Sequence, residues 1–272
     1  MRMSISQLNK IEIETIRTMA REKLALYHKE NDVIGAQIFN ILENESRVLY
    51  YPLEDQEVWG FSETIREEVF VCIDTSIPYD KQVFAAAHEL YHVWSDQIGE
   101  VILSHNLEDI ADNKEEMKAS RFAAEFLVRE ELLRQEMTTY AISIEAITEK
   151  EAVQLAGLFL VPYKTMVRRF FELGFISNEK YQKFMALTGD EVEILRKRLS
   201  FSLPVRENKI GLNTLVDRAM DLYERNLITV EKLEYELAFA DLTLEDMGIA
   251  IDEKLEVTDE LLEAIMEETD EA

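Results

Sequence analysis

Only four prolines and eight glycines interrupt 272 residues, so most of this chain has no local reason to leave a helix. Apolar residues recur at helical spacing. Between residues 4 and 44 they stand at Ile13, Ile16, Met19, Leu24, Ile34, Ile38 and Ile41, which predicts two helices joined near Asn31 and Asp32. From Arg47 to Asp74 the texture changes. Short β-rich runs at Val48–Tyr51, Val58–Phe61 and Val69–Ile73 predict a small antiparallel sheet of about three strands. Pro78 then precedes a strong helix from about Asp80 to Ser95, and a polar stretch to Asn113 leads into another from about Lys114 to Arg134. Short helices follow at Lys150–Phe159, at Tyr163–Leu173 after a turn at Val161 and Pro162, and from Asn178 onward.

The fold class is α+β, a mainly helical core with a small sheet, followed by helical C-terminal units. The expected domains are a core over 1–140, a small helix-turn-helix-like unit over 141–203, and a helical domain with an acidic tail over 208–272. A linker is expected around Ser202 to Asn208, and no internal repeat is visible.

The net charge is −26, from 55 acidic against 29 basic residues. Such a surface repels phosphate backbones and anionic lipid, so neither direct nucleic-acid binding nor a membrane surface is expected, and a basic protein is the better partner. Few basic residues lie in the helix-turn-helix-like element, which argues against its reading DNA. Cys72 is the single cysteine, inside Val69–Ile73, which excludes an internal disulfide and a thiolate metal cluster. The first thirty residues mix charge with apolarity and hold no run long enough for a signal peptide or membrane span, so the expected compartment is the cytoplasm.

Chemistry concentrates in His88-Glu89-Leu90-Tyr91-His92. Residues four apart share one helix face, so His88 and His92 can aim two imidazoles at one ion, and Glu89 can hold and deprotonate a water that a zinc ion has made acidic. This is the HExxH pattern of zinc peptidases. The preceding Ala85, Ala86 and Ala87 let the helix pack closely, as a buried metal-bearing helix must. A catalytic zinc takes a third protein ligand and keeps an open position. Glu116 is the best candidate, because the apolar face of Ala119, Phe122, Ala123 and Phe126 would pack its helix on the histidine helix. Asp96 continues the histidine face by one turn, as ligand or as orienter of an imidazole, and His105 lies in the intervening stretch. Glu115 is expected to face solvent. Tyr91, His105 and Tyr163 are candidates for stabilising an oxyanion.

The runs Gln82–His92 and Glu116–Ala124 resemble the ImmA/IrrE family of metallopeptidases, with patterns like F-x-x-A-H-E-L-x-H and E-x-x-A-N-x-F-A-A-x-x-L. The resemblance extends to the strand before the first run and to Leu158–Arg169, covering about residues 10–185. It implies a zincin-like core with His88, His92 and Glu116 as zinc ligands and Glu89 as general base. Ser120 stands where the family usually has asparagine, Tyr91 where glycine is common, and Val128-Arg129 where a proline often ends the second helix. Family members act on helix-turn-helix repressors or related regulators, often encoded beside them on mobile elements or in stress responses. The expected function is therefore zinc-dependent endoproteolysis of a basic helix-turn-helix regulator. The alternative is a sensor that sequesters such a regulator without cutting it, through stripes such as Leu212, Leu215, Ala219, Leu222, Leu233 and Leu237.

Overall fold

The computed structural model describes residues 8–53, 58–95, 102–105, 113–206, 211–212 and 214–249. They divide into two compact units, Met1–Asn213 and Thr214–Ala272.

In the first unit, Asn9 opens α1 (Lys10–Leu26) with a capping box: its side chain accepts the Glu12 amide while Glu12 accepts the Asn9 amide. The predicted stripe is buried at Ile16, Ala20 and Leu24, and α2 (Gln37–Glu45) buries Ile38, Phe39, Ile41 and Leu42. Five strands follow the order β4-β2-β3-β1-β5: β1 (Arg47–Tyr51), β2 (Val58–Ile65), β3 (Glu68–Asp74), β4 (Ile102–His105) and β5 (Gly211–Leu212). The three predicted strands are its centre. Two features differ from expectation. β1 lies parallel to β3, Val48 opposite Val71, because β2 and β3 form a hairpin and the chain must leave β1 to reach the far side of β3. β4 and β5 extend the edges from a segment read as loop and from the start of the expected helical 208–272 domain, recruited by backbone pairing to β2 and β1 rather than by a β-rich pattern of their own.

Helix α3 (Tyr79–Trp94) crosses the sheet, with Phe84 edge-on to Trp59. Ala85, Ala86 and Ala87 are fully buried, so its backbone lies close to both neighbours. Helix α4 (Lys114–Leu127) packs along α3 through Tyr91, Trp94, Phe122 and Phe126, whose ring centroids lie 5.3–5.8 Å apart. The single helix expected to Arg134 is in fact two. Val128 and Arg129 leave helical geometry and α5 (Glu130–Thr139) starts anew, a break stabilised where the Arg169 guanidinium takes the Val128 carbonyl. Helices α6 (Glu149–Phe159), α7 (Tyr163–Glu172), α8 (Asn178–Met185) and α9 (Gly189–Arg198) complete this unit's helices. Most of α7 is buried, leaving Lys164, Phe171 and Glu172 exposed and Arg168 half-buried. Cys72 is buried on β3, as expected.

The second unit contains α10 (Leu215–Glu224) and α11 (Val230–Ala238) around a small core of Ala219, Leu233, Leu237 and Leu244. Against expectation, it repeats a piece of the first. Both α7 and α10 have ten residues and end at a left-handed residue, Gly174 or Asn226; both α8 and α11 start behind a hydroxyl cap, Ser177 or Thr229. Each pair is followed by a second reciprocal cap, Thr188 with Glu191 and Thr243 with Asp246. Among the described residues no helix is long and apolar enough to cross a membrane.

Candidate metal centre

Two local signals place the donor residues. Gln82 anchors the start of α3 by donating its amide to the carbonyls of Thr75 and Ile77, which fixes His88 two turns further along. Asn113 caps α4 by accepting the amides of Glu115 and Glu116, so Glu116 occupies a helix N-terminus whose dipole favours a carboxylate.

Packing of α3 on α4 then brings His88, His92 and Glu116 together, the three burying all but a few per cent of their surfaces. His88 Nε2 lies 2.9 Å from Glu116 Oε2, His92 Nε2 3.4 Å from Glu116 Oε1, and the two Nε2 atoms 3.3 Å apart. Two nitrogens each about 2.0–2.1 Å from a tetrahedral zinc are separated by roughly 3.3 Å, so the donor set fits such an ion. The charge balance agrees. Burial disfavours the His92 imidazolium, but its hydrogen bond to Glu116 and the charges of Glu89, Glu116 and Glu115 outweigh this and raise its pKa. Burial likewise pushes Glu116 up, yet its hydrogen bonds with His88 and His92 bring it down to about 2. Three carboxylates around two imidazoles leave an excess of negative charge that a divalent cation would neutralise.

Glu89 is completely buried, and its charge acts both on His92 and on Cys72 of β3. Burial, with Asp74 and Glu89, pushes the Cys72 thiol up to about 12, which keeps it protonated and inert. Ser120 Oγ lies 3.3 Å from His88 Nδ1. When Nδ1 donates to that hydroxyl, Nε2 presents its lone pair to an ion. Sequence reasoning gave Ser120 no role; its place one turn beyond Glu116 is the signal that could have found it. His92 Nδ1 is buried and has no hydrogen-bond partner among the described residues.

The remaining candidates separate. Tyr91 is beside the centre, its ring against His92 and its hydroxyl 3.3 Å from Glu115 Oε2. Burial and the Glu115 charge raise its pKa, so it stays a proton donor. Glu115, expected to face solvent, is half-buried and pairs with Lys118 at 2.6 Å as well as with Tyr91, because the tyrosine reaches over the start of α4. Tyr163 is committed elsewhere, donating to the Phe184 carbonyl at 3.2 Å and holding α8. His105 ends β4 opposite Val58, and its side chain, like Asp96, lies outside the described residues.

No curated protein matches the chain. Residues 44–171, from the end of α2 through α7, match the family model Peptidase M78, IrrE N-terminal-like domain, and so include the sheet's central strands and every donor described above. This segment is an IrrE N-terminal-like domain of the Peptidase M78 family, and the function that accompanies it is of the metallopeptidase type.

Proposed function

We propose that the protein is a zinc-dependent endopeptidase that cleaves a basic helix-turn-helix regulator in the cytoplasm. The observation that carries this reading is the convergence of His88, His92 and Glu116 on one point, with Glu89 next in the chain to His88. Two imidazoles and one carboxylate form a set that catalytic zinc uses while keeping an open position. A zinc ion held there would acidify a water and polarise the scissile carbonyl. Glu89 takes the proton of the attacking water and delivers it to the leaving amine; its burial at 0% exposure keeps that carboxylate near its task and away from bulk solvent. Ser120 orients His88, and the Tyr91 hydroxyl, which donates to Glu115, would serve an oxyanion only by turning from that carboxylate.

The regulator is favoured by charge. A chain of net charge −26 attracts a basic DNA-binding protein, whereas α7, the helix that a DNA reader would insert, keeps most of its surface buried. The test is to incubate wild type and Glu89→Gln with the helix-turn-helix protein encoded nearest its gene and to identify products by mass spectrometry. Wild type should cut at a defined bond, and Glu89→Gln should bind zinc equally yet lose at least about 100-fold in rate. Full activity in Glu89→Gln sinks the assignment. A partner bound by zinc-loaded wild type but left intact would favour sequestration, for which the second unit's exposed Leu227, Tyr235 and Phe239 offer an apolar face.

A further inference from the structure

Each helix of the metal centre carries, away from the centre, one buried carboxylate, and each is held by an arginine from the helices that follow. On α4 this is Glu125, nine residues past Glu116. Arg169 of α7 is fully buried and donates from Nε to the Val128 carbonyl at 2.9 Å, from Nη1 to Glu125 Oε1 at 3.0 Å and from Nη2 to Glu125 Oε2. Arg121 and Arg17 also donate to Glu125, at 3.1 and 3.3 Å. On α3 the carboxylate is Asp80, eight residues before His88 and 3% exposed, and Arg196 of α9 donates to its Oδ2 at 2.7 Å.

We propose that Arg169 and Arg196 are positioning residues that set the axial register of α3 against α4 and thereby bring His88, His92 and Glu116 to one point. The proposal rests on reading those three residues as a metal centre. Outside the donor cluster and the Tyr91–Glu115 and Ser120–His88 contacts, each 3.3 Å long, the interface between α3 and α4 is made largely of alanine and aromatic surfaces, and apolar contact has little directionality, so it resists separation better than sliding. The forked Arg169–Glu125 bond is directional, and Arg196 adds a single charge-assisted bond to Asp80. At about 1.5 Å rise per residue the clamps act roughly 12–14 Å from the donors along stiff helices, so a slip at either clamp passes undiminished to the donor atoms. Metal sites hold donor distances to within about 0.2 Å, so a slip of half an ångström is enough to spoil the set. Stability alone gives weak grounds for two such pairs, since buried ion pairs are often no better than apolar replacements, whereas fixing register is their best-attested use. Arg196 also lies beyond the family-matched residues 44–171, so its clamp is supplied by the segment that follows the matched domain.

The test uses the full chain and paired replacements that remove one charge of each sign, Arg169→Met with Glu125→Gln and Arg196→Met with Asp80→Asn. Zinc dissociation constants are measured by competition with a chromophoric chelator, and hydrogen exchange over α3 and α4 is followed in metal-free protein. Each pair should weaken zinc binding by about 10–100-fold and speed exchange over α3 and α4, as loss of groups supporting metal ligands does. Phe184→Leu, a core change in α8, should lower the melting temperature without moving the zinc constant. Where a pair does not fold, Arg169→Lys keeps the charge and loses the fork, Arg196→Lys keeps the charge and loses the fixed guanidinium geometry of its bond to Asp80, and each should weaken binding by about tenfold. Folded variants with wild-type zinc affinity and exchange, or a loss matched by Phe184→Leu, overturn the proposal. If wild type binds no zinc, or His88→Ala binds as wild type does, the metal-centre reading fails instead, and the exchange measurement alone decides whether the clamps set the helix register.

Discussion

Ser120 supports His88 as a ligand, because a hydroxyl 3.3 Å from Nδ1 can accept that nitrogen's proton and leave the Nε2 lone pair for an ion. Ser120→Ala should therefore weaken zinc binding by about 10–100-fold while leaving the fold intact, as read by chelator competition alongside circular dichroism. Unchanged affinity would remove Ser120 from the site. Glu125 has a different consequence. Burial pushes its carboxyl up, but Arg169 and Arg121 hold it down at about 2, against an ordinary value of 4.5. A depressed folded-state value stabilises the native form fully above pH 4.5, and that contribution is lost as pH falls toward 2. Denaturant midpoints should drop across this window. Glu125→Gln should flatten that part of the profile and cost about 3–5 kcal/mol at neutral pH, because it leaves buried arginines uncompensated. Of these residues, His88 and His92 were legible from their spacing and Glu116 from the apolar face of its helix. Ser120 registered only as a departure from the family pattern. The pairing of Arg169 with Glu125 spans 44 positions in the chain, and nothing local marks either residue as buried.

Elements were legible where periodicity was strong and obscure where backbone geometry decides. The β2–β3 hairpin turns through Arg66 and Glu67, both left-handed at φ 51° and 70°, the conformation that a two-residue turn requires to match strand twist. Neither residue is a turn former, so the hairpin could not be read, and β2 was expected to end at Phe61 rather than Ile65. Arg66→Asn with Glu67→Gly should relieve that strain and stabilise the protein by about 1 kcal/mol or more in chemical denaturation. A loss of stability would show that those side chains contribute contacts outweighing the strain. The repeat of α7–α8 in α10–α11 escaped notice for a related reason. The copies agree in a left-handed residue, a hydroxyl cap and a Glu-Lys pair, at Glu179-Lys180 and Glu231-Lys232, while most of their apolar residues differ, Ile176 and Ile228 excepted. Burial explains why the apolar residues are free to differ. Phe175 is 7% exposed in the first copy, while Leu227, its counterpart, is 59% exposed in the second.

At the scale of the whole molecule, the segment read as a linker is tied down at its end. The Arg206 guanidinium lies 4.3 and 3.9 Å from the ring centroids of Phe39 and Tyr50, and β5 pairs with β1 shortly afterwards. All described donors therefore lie in the unit that ends at Asn213, and on the proposed function the charge of the full chain would bear on how a substrate arrives rather than on how a metal ion is held. A net charge of −26 creates a field that, on the proposed function, would draw a basic partner from beyond contact distance. Salt shortens the reach of that field, from about 30 Å at 0.01 M to about 8 Å at 0.15 M ionic strength. Association of Glu89→Gln, which binds without consuming its partner, should accordingly slow by at least about tenfold between those conditions, while the dissociation rate changes less. Stopped-flow measurement of both rates separates steering from contact. An association rate indifferent to salt would mean that the acidic surface plays no part in recruitment, and that an apolar face such as the one around Leu227 must select the regulator instead.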